Sequence, residues 1–275
     1  MQLVDLLAQA QALPSMPRVV SEVLAELDAD DPDIRTIADT IATDPGLTAR
    51  VLKLANSAYF GLSRQIGDVE EAIALLGFNH VRTLVTAVAL SSSFHAVPGV
   101  NLEQFWRYSL NVAKICKTLA HSLRLNDGEA FTAGLIHAVG DLVMHMGMPD
   151  VIAQLDFTVA PLDLKRAEAE QAVLGYTYAD VGAAFATTWN FPDDIVRALK
   201  YQLQPFDGDV YEPLAGVVHM AVWRTRAAEI HLNREGLAAT FPDVVALLLG
   251  LDLDMVLDKD PTDWVSAGEL SAFLP

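Results

Sequence analysis

Between Ala130 and Met146 the sequence reads AFTAGLIHAVGDLVMHM, apolar almost all the way round a helix and interrupted only by Thr132, His137, Asp141 and His145. A helix of this kind has no face suited to water, so it belongs at the centre of a helical core, where its polar residues must find partners. The rest of the chain can supply the surroundings. It has 275 residues, 52% of them hydrophobic, enough to bury a large core. Apolar residues recur at helical spacing throughout, and β-branched runs alternating with polar residues are scarce. The expectation is an all-α protein in which an N-terminal helical bundle packs on a second helical region. No period of fixed length recurs, which disfavours a solenoid.

Cap signals divide the first part into short amphipathic helices. Pro14 and Pro17 precede a helix at Arg18 to Leu27. Asp31-Pro32 and Asp44-Pro45 each place a side-chain acceptor before a proline, the pattern of an N-cap followed by a first helical residue that needs no donor. Asp68 and Glu71 have capping-box spacing, opening a helix that ends near Gly77. The stretch Ala96-Val-Pro-Gly-Val100 breaks the apolar helix ending near Phe94, so the seam is placed there, giving subdomains 1–96 and 97–275. A long helix follows from about Leu102 to Leu123, with Phe105, Tyr108, Val112, Ile115 and Leu119 on its buried side.

Thirty-six acidic residues against eighteen basic ones give a formal net charge of -18, a field that repels phosphate backbones and argues against direct nucleic-acid binding. The longest apolar run, around Val244 to Leu251, falls well short of a membrane span. Met1 to Pro17 lacks the basic n-region of a secretory signal, so the expected location is the cytoplasm and no membrane partner is expected. The lone Cys116 packs as a small hydrophobe and forms no internal disulfide. No GxxxxGK[ST] or GxGxxG phosphate loop occurs, nor a GxSxG nucleophile motif.

His137, Asp141 and His145 are spaced i, i+4, i+8, which superficially invites a metal. On a continuous helix the outer pair would be roughly 12 Å apart along the axis, too far to ligate one ion. Hydrogen bonding within the core is the preferred reading of all three, and of His219. A helix from Pro45 to Tyr59 offers a surface that might act: Leu47, Val51, Leu54, Ala55 and Ala58 form its apolar stripe, and Arg50, Lys53 and Ser57 face away. Arg50, Lys53, Asn56, Ser57 and Tyr59 form the candidate interaction surface, with Arg50 and Lys53 suited to an acidic partner. Asn56 is read first as a local brace for the following turn.

Several runs carry a family resemblance: LPSMPRVV, then DPGLTARVLKLANSAYFG with EAIALLGFNHVRTLV, and later WRYSLNVAKICKTLA with GLIHAVGDLV. Together they resemble the HDOD family, HD-related output domains of bacterial signalling proteins, and the Asn56-Ser57 pair is the most specific element. The resemblance covers nearly the whole chain. It implies an all-helical fold and a regulatory role generally without catalysis. Catalytic HD proteins, to which the second half is similar, hold divalent metal with an adjacent His-Asp pair, further histidines and a late aspartate. At the matching positions stand Tyr108, His137-Ala138, Tyr178, Tyr201, Gln202 and Val222. Of these ligands only His137 remains, and phenol, amide and alkyl groups do not replace carboxylates and imidazoles around such ions. Without metal the water-activating and Lewis-acid roles of an HD hydrolase are missing.

The expected protein is therefore a non-catalytic signal-transduction module without cofactor, acting on an unidentified signalling protein, with aromatic side chains filling the former metal cavity. A metal-dependent phosphohydrolase acting on a cyclic dinucleotide through His137, Asp141 and His145 is the alternative. Nucleotide binding without turnover is a third reading, weakened by the small number of arginines.

Overall fold

The computed structural model describes residues 1–275 apart from 10–11, 58–63, 208, 259–263, 267–269 and 272–275. Among the described residues there are seventeen helices and no strand, so the chain is all-α. It divides into two compact units: Met1–Leu13 with Val97–Trp264, and Pro14–Ala96 with Val265–Pro275. The first thirteen residues thus fold with the later unit, not with the N-terminal bundle expected for 1–96. The reason is local. In α1 (Leu3–Leu7) the Leu6 side chain is wholly buried, packed so closely on Gly147 that a Cβ there would lie 2.2 Å from Leu6 Cδ1.

The N-terminal bundle consists of α2 (Arg18–Leu27), α3 (Ile34–Ala42), α4 (Pro45–Ala55), α5 (Val69–Leu76) and α6 (Phe78–Ser93). Asp44 caps α4 through Gly46 N at 2.9 Å and Leu47 N at 3.0 Å, with Pro45 at the first helical position. For α3 the cap is Asp33, accepting from Thr36 N at 2.8 Å; the Asp31-Pro32 signal lies two residues too early. Asp68 caps α5 as its spacing predicts, but Glu71 pairs with Arg64 instead of reaching back. Gly77 closes α5 and opens α6 at φ 79°, a left-handed conformation in which a Cβ is strained. Val81, Leu84, Val85 and Leu90 make α6 the buried spine of the bundle, in contact with α2, α4 and α5.

The second unit contains α7 (Leu102–Leu123), α8 (Asp127–Ile136), α9 (Val139–Gly147), α10 (Pro149–Thr158), α11 (Arg166–Leu174), α12 (Tyr178–Thr188), α13 (Asp193–Tyr201), α14 (Pro213–Glu229), α15 (Arg234–Thr240), α16 (Asp243–Leu249) and α17 (Leu253–Asp258). The apolar segment lies at its centre as expected: α8 packs on α7, α13 and α14, and α9 packs on α10 and α12. It is not one helix, however. The expected helix from Ala130 to Met146 breaks at His137-Ala138. There the His137 Nδ1 bonds the Gly134 carbonyl at 2.7 Å, competing for the acceptor that a continuous helix would offer to the Ala138 amide. Asp141 N turns to the Ala138 carbonyl at 3.0 Å, and the freed His137 carbonyl accepts from Gln202 Nε2 at 3.0 Å. Just past the break, Gly140 lies against α12: a Cβ there would fall 2.0 Å from the Tyr178 carbonyl oxygen. No helix among the described residues is long and apolar enough to cross a membrane.

Candidate functional site

The break in the central segment gathers a polar cluster inside the second unit. His137, on the turn, is wholly buried. Its Nε2 lies 3.0 Å from the Tyr108 hydroxyl supplied by α7, and the two rings meet edge to face with centroids 5.0 Å apart. From α14, Arg226 Nε donates to the same hydroxyl at 3.1 Å and Nη1 donates to the Asp163 carbonyl at 3.0 Å. The Arg226 guanidinium also stands over the Tyr178 ring, 5.5 Å from its centroid, a favourable cation–π arrangement. Gln202 bridges the His137 and Leu199 carbonyls at 3.0 Å each. Its own carbonyl meets His219 Nδ1 at 2.7 Å.

Burial sets the protonation states here. Desolvation pushes the His137 imidazole down to about 3, and the charge of Arg226 works in the same direction. His219 is lowered by burial as well, and burial raises the phenols of Tyr108 and Tyr178. Near neutral pH His137 is therefore uncharged and the phenols keep their protons. Neutral imidazole has one donor and one acceptor. Its Nδ1 faces a carbonyl that can only accept, so Nδ1 carries the proton and Nε2 accepts from Tyr108.

A second cluster adjoins the first. Arg166, at the start of α11 and 1% exposed, donates through Nε to Glu170 Oε1 at 2.8 Å. Its Nη1 reaches the Val159 carbonyl at 2.8 Å and Asp156 Oδ1 at 2.7 Å. Glu170, 0% exposed, accepts from the Tyr178 amide at 2.8 Å through Oε2, which anchors the first turn of α12. His145 Nδ1 bonds the Asp141 carbonyl at 2.8 Å, and Nε2 bonds Asp156 at 3.0 Å. Burial raises the Asp141 and Glu170 carboxyls, with nearby Arg166 opposing in both cases.

Between the two clusters a cavity of about 160 Å³ remains, lined in part by Tyr108, Ala138, Asp141, Arg166, Tyr178 and Arg226. The expectation that aromatic side chains fill the interior is thus met only in part. Tyr108 and Tyr178 fill one side, and the alanine methyl leaves the other open.

The structure brings together Tyr108, His137, Ala138, Tyr178 and Gln202. Val222 is nearly buried on α14 but does not line the cavity, and Tyr201 faces a different groove beside Arg197 and Tyr211. Sequence reasoning missed Arg226 and Arg166. The signals were present: Arg226 lies one helical turn beyond Val222 on the stripe Val218, Val222, Arg226, and Arg166 precedes Glu170 by four residues.

In the N-terminal bundle Asn56 is a brace. Its Nδ2 donates to the Leu52 and Ile66 carbonyls at 2.9 Å each, and its Oδ1 accepts from Ile66 N at 2.7 Å. Arg50 is half-buried and donates to Ser92 Oγ, whereas Lys53 is exposed. The Ser57 hydroxyl is buried without a hydrogen-bond partner among the described residues. Tyr59 and Ala58 lie outside the described residues.

The model of the HDOD domain matches residues 13–205. This chain belongs to the HDOD family. A structure from Shewanella amazonensis, named as a candidate phosphohydrolase, is 31% identical with a TM-score of 0.79 and covers 98% of this chain and 96% of that one. An HDOD domain protein of unknown function from Geobacter sulfurreducens is 26% identical, with a TM-score of 0.73 over 89% of this chain and 87% of that one. One from Marinobacter aquaeolei, named as a candidate signal transduction protein, shares the fold at 23% identity and TM-score 0.70, covering 94% of this chain and 57% of that one. Among curated proteins, an uncharacterized one from Treponema pallidum is 23% identical over 76% of this chain and 41% of its own length. Bacillus subtilis YuxH is 27% identical over 59% of this chain and 40% of its own. The chain thus spans about two fifths of the curated relatives it matches.

The residues at the HD metal-ligand positions of this HDOD chain do not fit a divalent ion. Tyr108, His137 and Tyr178 surround the Arg226 guanidinium, a fixed positive charge that repels a second cation. Asp141, Asp156 and Glu170 gather on Arg166, which is a cation already in place among them. Among the described residues no group of three or more His, Cys, Asp or Glu is placed to hold a metal ion.

Proposed function

We propose that this HDOD chain is a non-catalytic, cytoplasmic regulatory module that acts in bacterial signal transduction by binding another protein. The observation that carries the reading is the place of Arg226. Its guanidinium lies within hydrogen-bond distance of Tyr108 and over Tyr178, two of the positions that an HD hydrolase would use for metal. A hydrolase of that type needs carboxylates and imidazoles around an ion that activates water; this cluster instead holds a cation of its own. Membership of the HDOD family and the shared fold of the Marinobacter protein support a signalling role. The exposed Lys53 and half-buried Arg50 on α4 are the proposed contact for an acidic partner, with Asn56 holding the turn beside them.

Two measurements test this. Elemental analysis of the purified protein should find no stoichiometric transition metal, and added manganese should give no phosphodiesterase turnover. Tightly bound metal together with turnover that disappears in His137→Ala overturns the reading. Affinity capture from native lysate, comparing wild type with Arg50→Glu/Lys53→Glu, should lose a specific partner. An unchanged partner set removes α4 from the interface.

A further inference from the structure

At the cavity beside Ala138, the Arg226 guanidinium has no carboxylate in hydrogen-bond contact. Arg226 is 5% exposed, yet its polar partners are a phenol, a backbone carbonyl and the face of Tyr178. None of them is a carboxylate. A buried guanidinium normally has an anionic partner, because desolvating the charge is costly without one. The carboxylates nearby are engaged elsewhere: Glu170 uses one oxygen on Arg166 and the other on the Tyr178 amide, and Asp156 serves Arg166 and His145.

Three further polar atoms in buried or nearly buried side chains lining the same cavity have no hydrogen-bond partner among the described residues: Tyr178 Oη, Arg166 Nη2 and Asp141 Oδ1. The nearest approach between the last two is 3.8 Å, beyond hydrogen-bond reach. Orphaned polar atoms are costly in a folded protein, and here they converge on one space. Two are donors for an anion, and Asp141 Oδ1 calls for a donor from the opposite side.

We infer that this cavity binds a small oxyanion, a carboxylate or phosphate, that also carries a hydrogen-bond donor, with the oxyanion on Arg226, Arg166 and Tyr178 and the donor on Asp141. A cavity of about 150 Å³ accommodates a molecule the size of benzene, so the 160 Å³ here suits a short hydroxy- or amino-carboxylate or inorganic phosphate. It is several-fold too small for a cyclic dinucleotide. Ala138 is the residue that makes the room. A carboxylate at this position would neutralise Arg226 from within; with alanine, the anion must come from outside.

Isothermal titration calorimetry with glycolate, L-serine, inorganic phosphate and acetate tests the inference. Saturable binding is expected for at least one donor-bearing probe, and whether glycolate and serine or phosphate binds tells a carboxylate ligand from a phosphate. Tyr178→Phe removes a hydroxyl that has no hydrogen-bond partner among the described residues, so the ligand-free variant should melt at the wild-type temperature or slightly above, while affinity falls about tenfold. Ala138→Leu fills the cavity and should abolish binding in a protein that keeps its helical circular dichroism. The inference fails if no probe binds saturably up to about 10 mM, or if binding survives unchanged in both variants. Acetate binding as tightly as glycolate overturns the role of Asp141. This site does not depend on the protein-binding reading: a failed titration leaves the partner capture untouched, and the converse holds.

Discussion

Around His137 the Tyr108 hydroxyl, both imidazole nitrogens and the His137 carbonyl all have partners inside the protein, and Gln202 Oε1 is the atom of this cluster left without one among the described residues. One helical turn further on, where Asp141 faces Arg166, hydrogen bonds run out: Asp141 Oδ1 and Arg166 Nη2 stand 3.8 Å apart, and neither has a hydrogen-bond partner among the described residues. The two clusters share a wall, and both are built from side chains on several helices. A cluster whose hydrogen bonds close on themselves serves to hold helices in place, and its removal costs stability. One with donors and acceptors left over is finished only when something else arrives. The contrast separates the part of this unit that is scaffold from the part that is receptive.

The largest test acts on the open cluster. Arg166→Met leaves Glu170 as a buried carboxylate without its cation, and urea denaturation should show a loss of about 3–5 kcal/mol. Adding Glu170→Gln should restore part of it, because a neutral amide costs less to bury. If Arg166→Met is nearly neutral, the open cluster is solvated and the contrast collapses. Next in size is Gly140→Ala, where the new methyl would meet the Tyr178 carbonyl and the Gly182 amide at 2.0 and 2.6 Å. Pushing α9 from α12 should cost about 3 kcal/mol in thermal or chemical unfolding. Gly182→Ala, whose nearest neighbour would be 3.6 Å away, should be neutral or stabilising by up to about 1 kcal/mol.

The closed cluster predicts a pH effect. Above the ordinary histidine value of 6.5, His137 is neutral in both folded and unfolded chains and contributes nothing. Below it, the unfolded imidazole takes up a proton that the folded one refuses until about 3. Stability should therefore fall as pH drops from 6.5, by up to about 1.4 kcal/mol per unit from this residue. His219 adds in the same direction. Denaturation between pH 7 and pH 5 should show a shallower slope in His137→Gln than in wild type; equal slopes would mean that the folded imidazole is protonated. Smallest is Asn56→Ala, which removes the brace across Leu52 and Ile66 and should cost about 1 kcal/mol, read as a small shift in melting temperature.

Helix content and most boundaries of the N-terminal bundle were legible because caps are local: Asp44-Pro45 and Asp68 act on amides two or three residues away. The central break was not. It depends on the Gln202 side chain, sixty-five positions along the chain, capping a carbonyl, and on α12 pressing against Gly140. The family motifs point to Tyr108 and Tyr178, which the fold does bring to one cavity, but say nothing of what lies between them. Arg226 escaped notice because a basic residue in an amphipathic helix ordinarily faces water, and only packing with α7 and α12 turns this one inward.

Arg226 has a consequence for how such a protein meets the cell. An ion held by ligands comes and goes with the cellular pool, so its charge is subject to zinc or manganese starvation, to chelators and to exchange by a competing metal. A guanidinium encoded in the polypeptide is present in every copy from synthesis onward, at the same place and with the same charge, whatever the nutritional state of the cell.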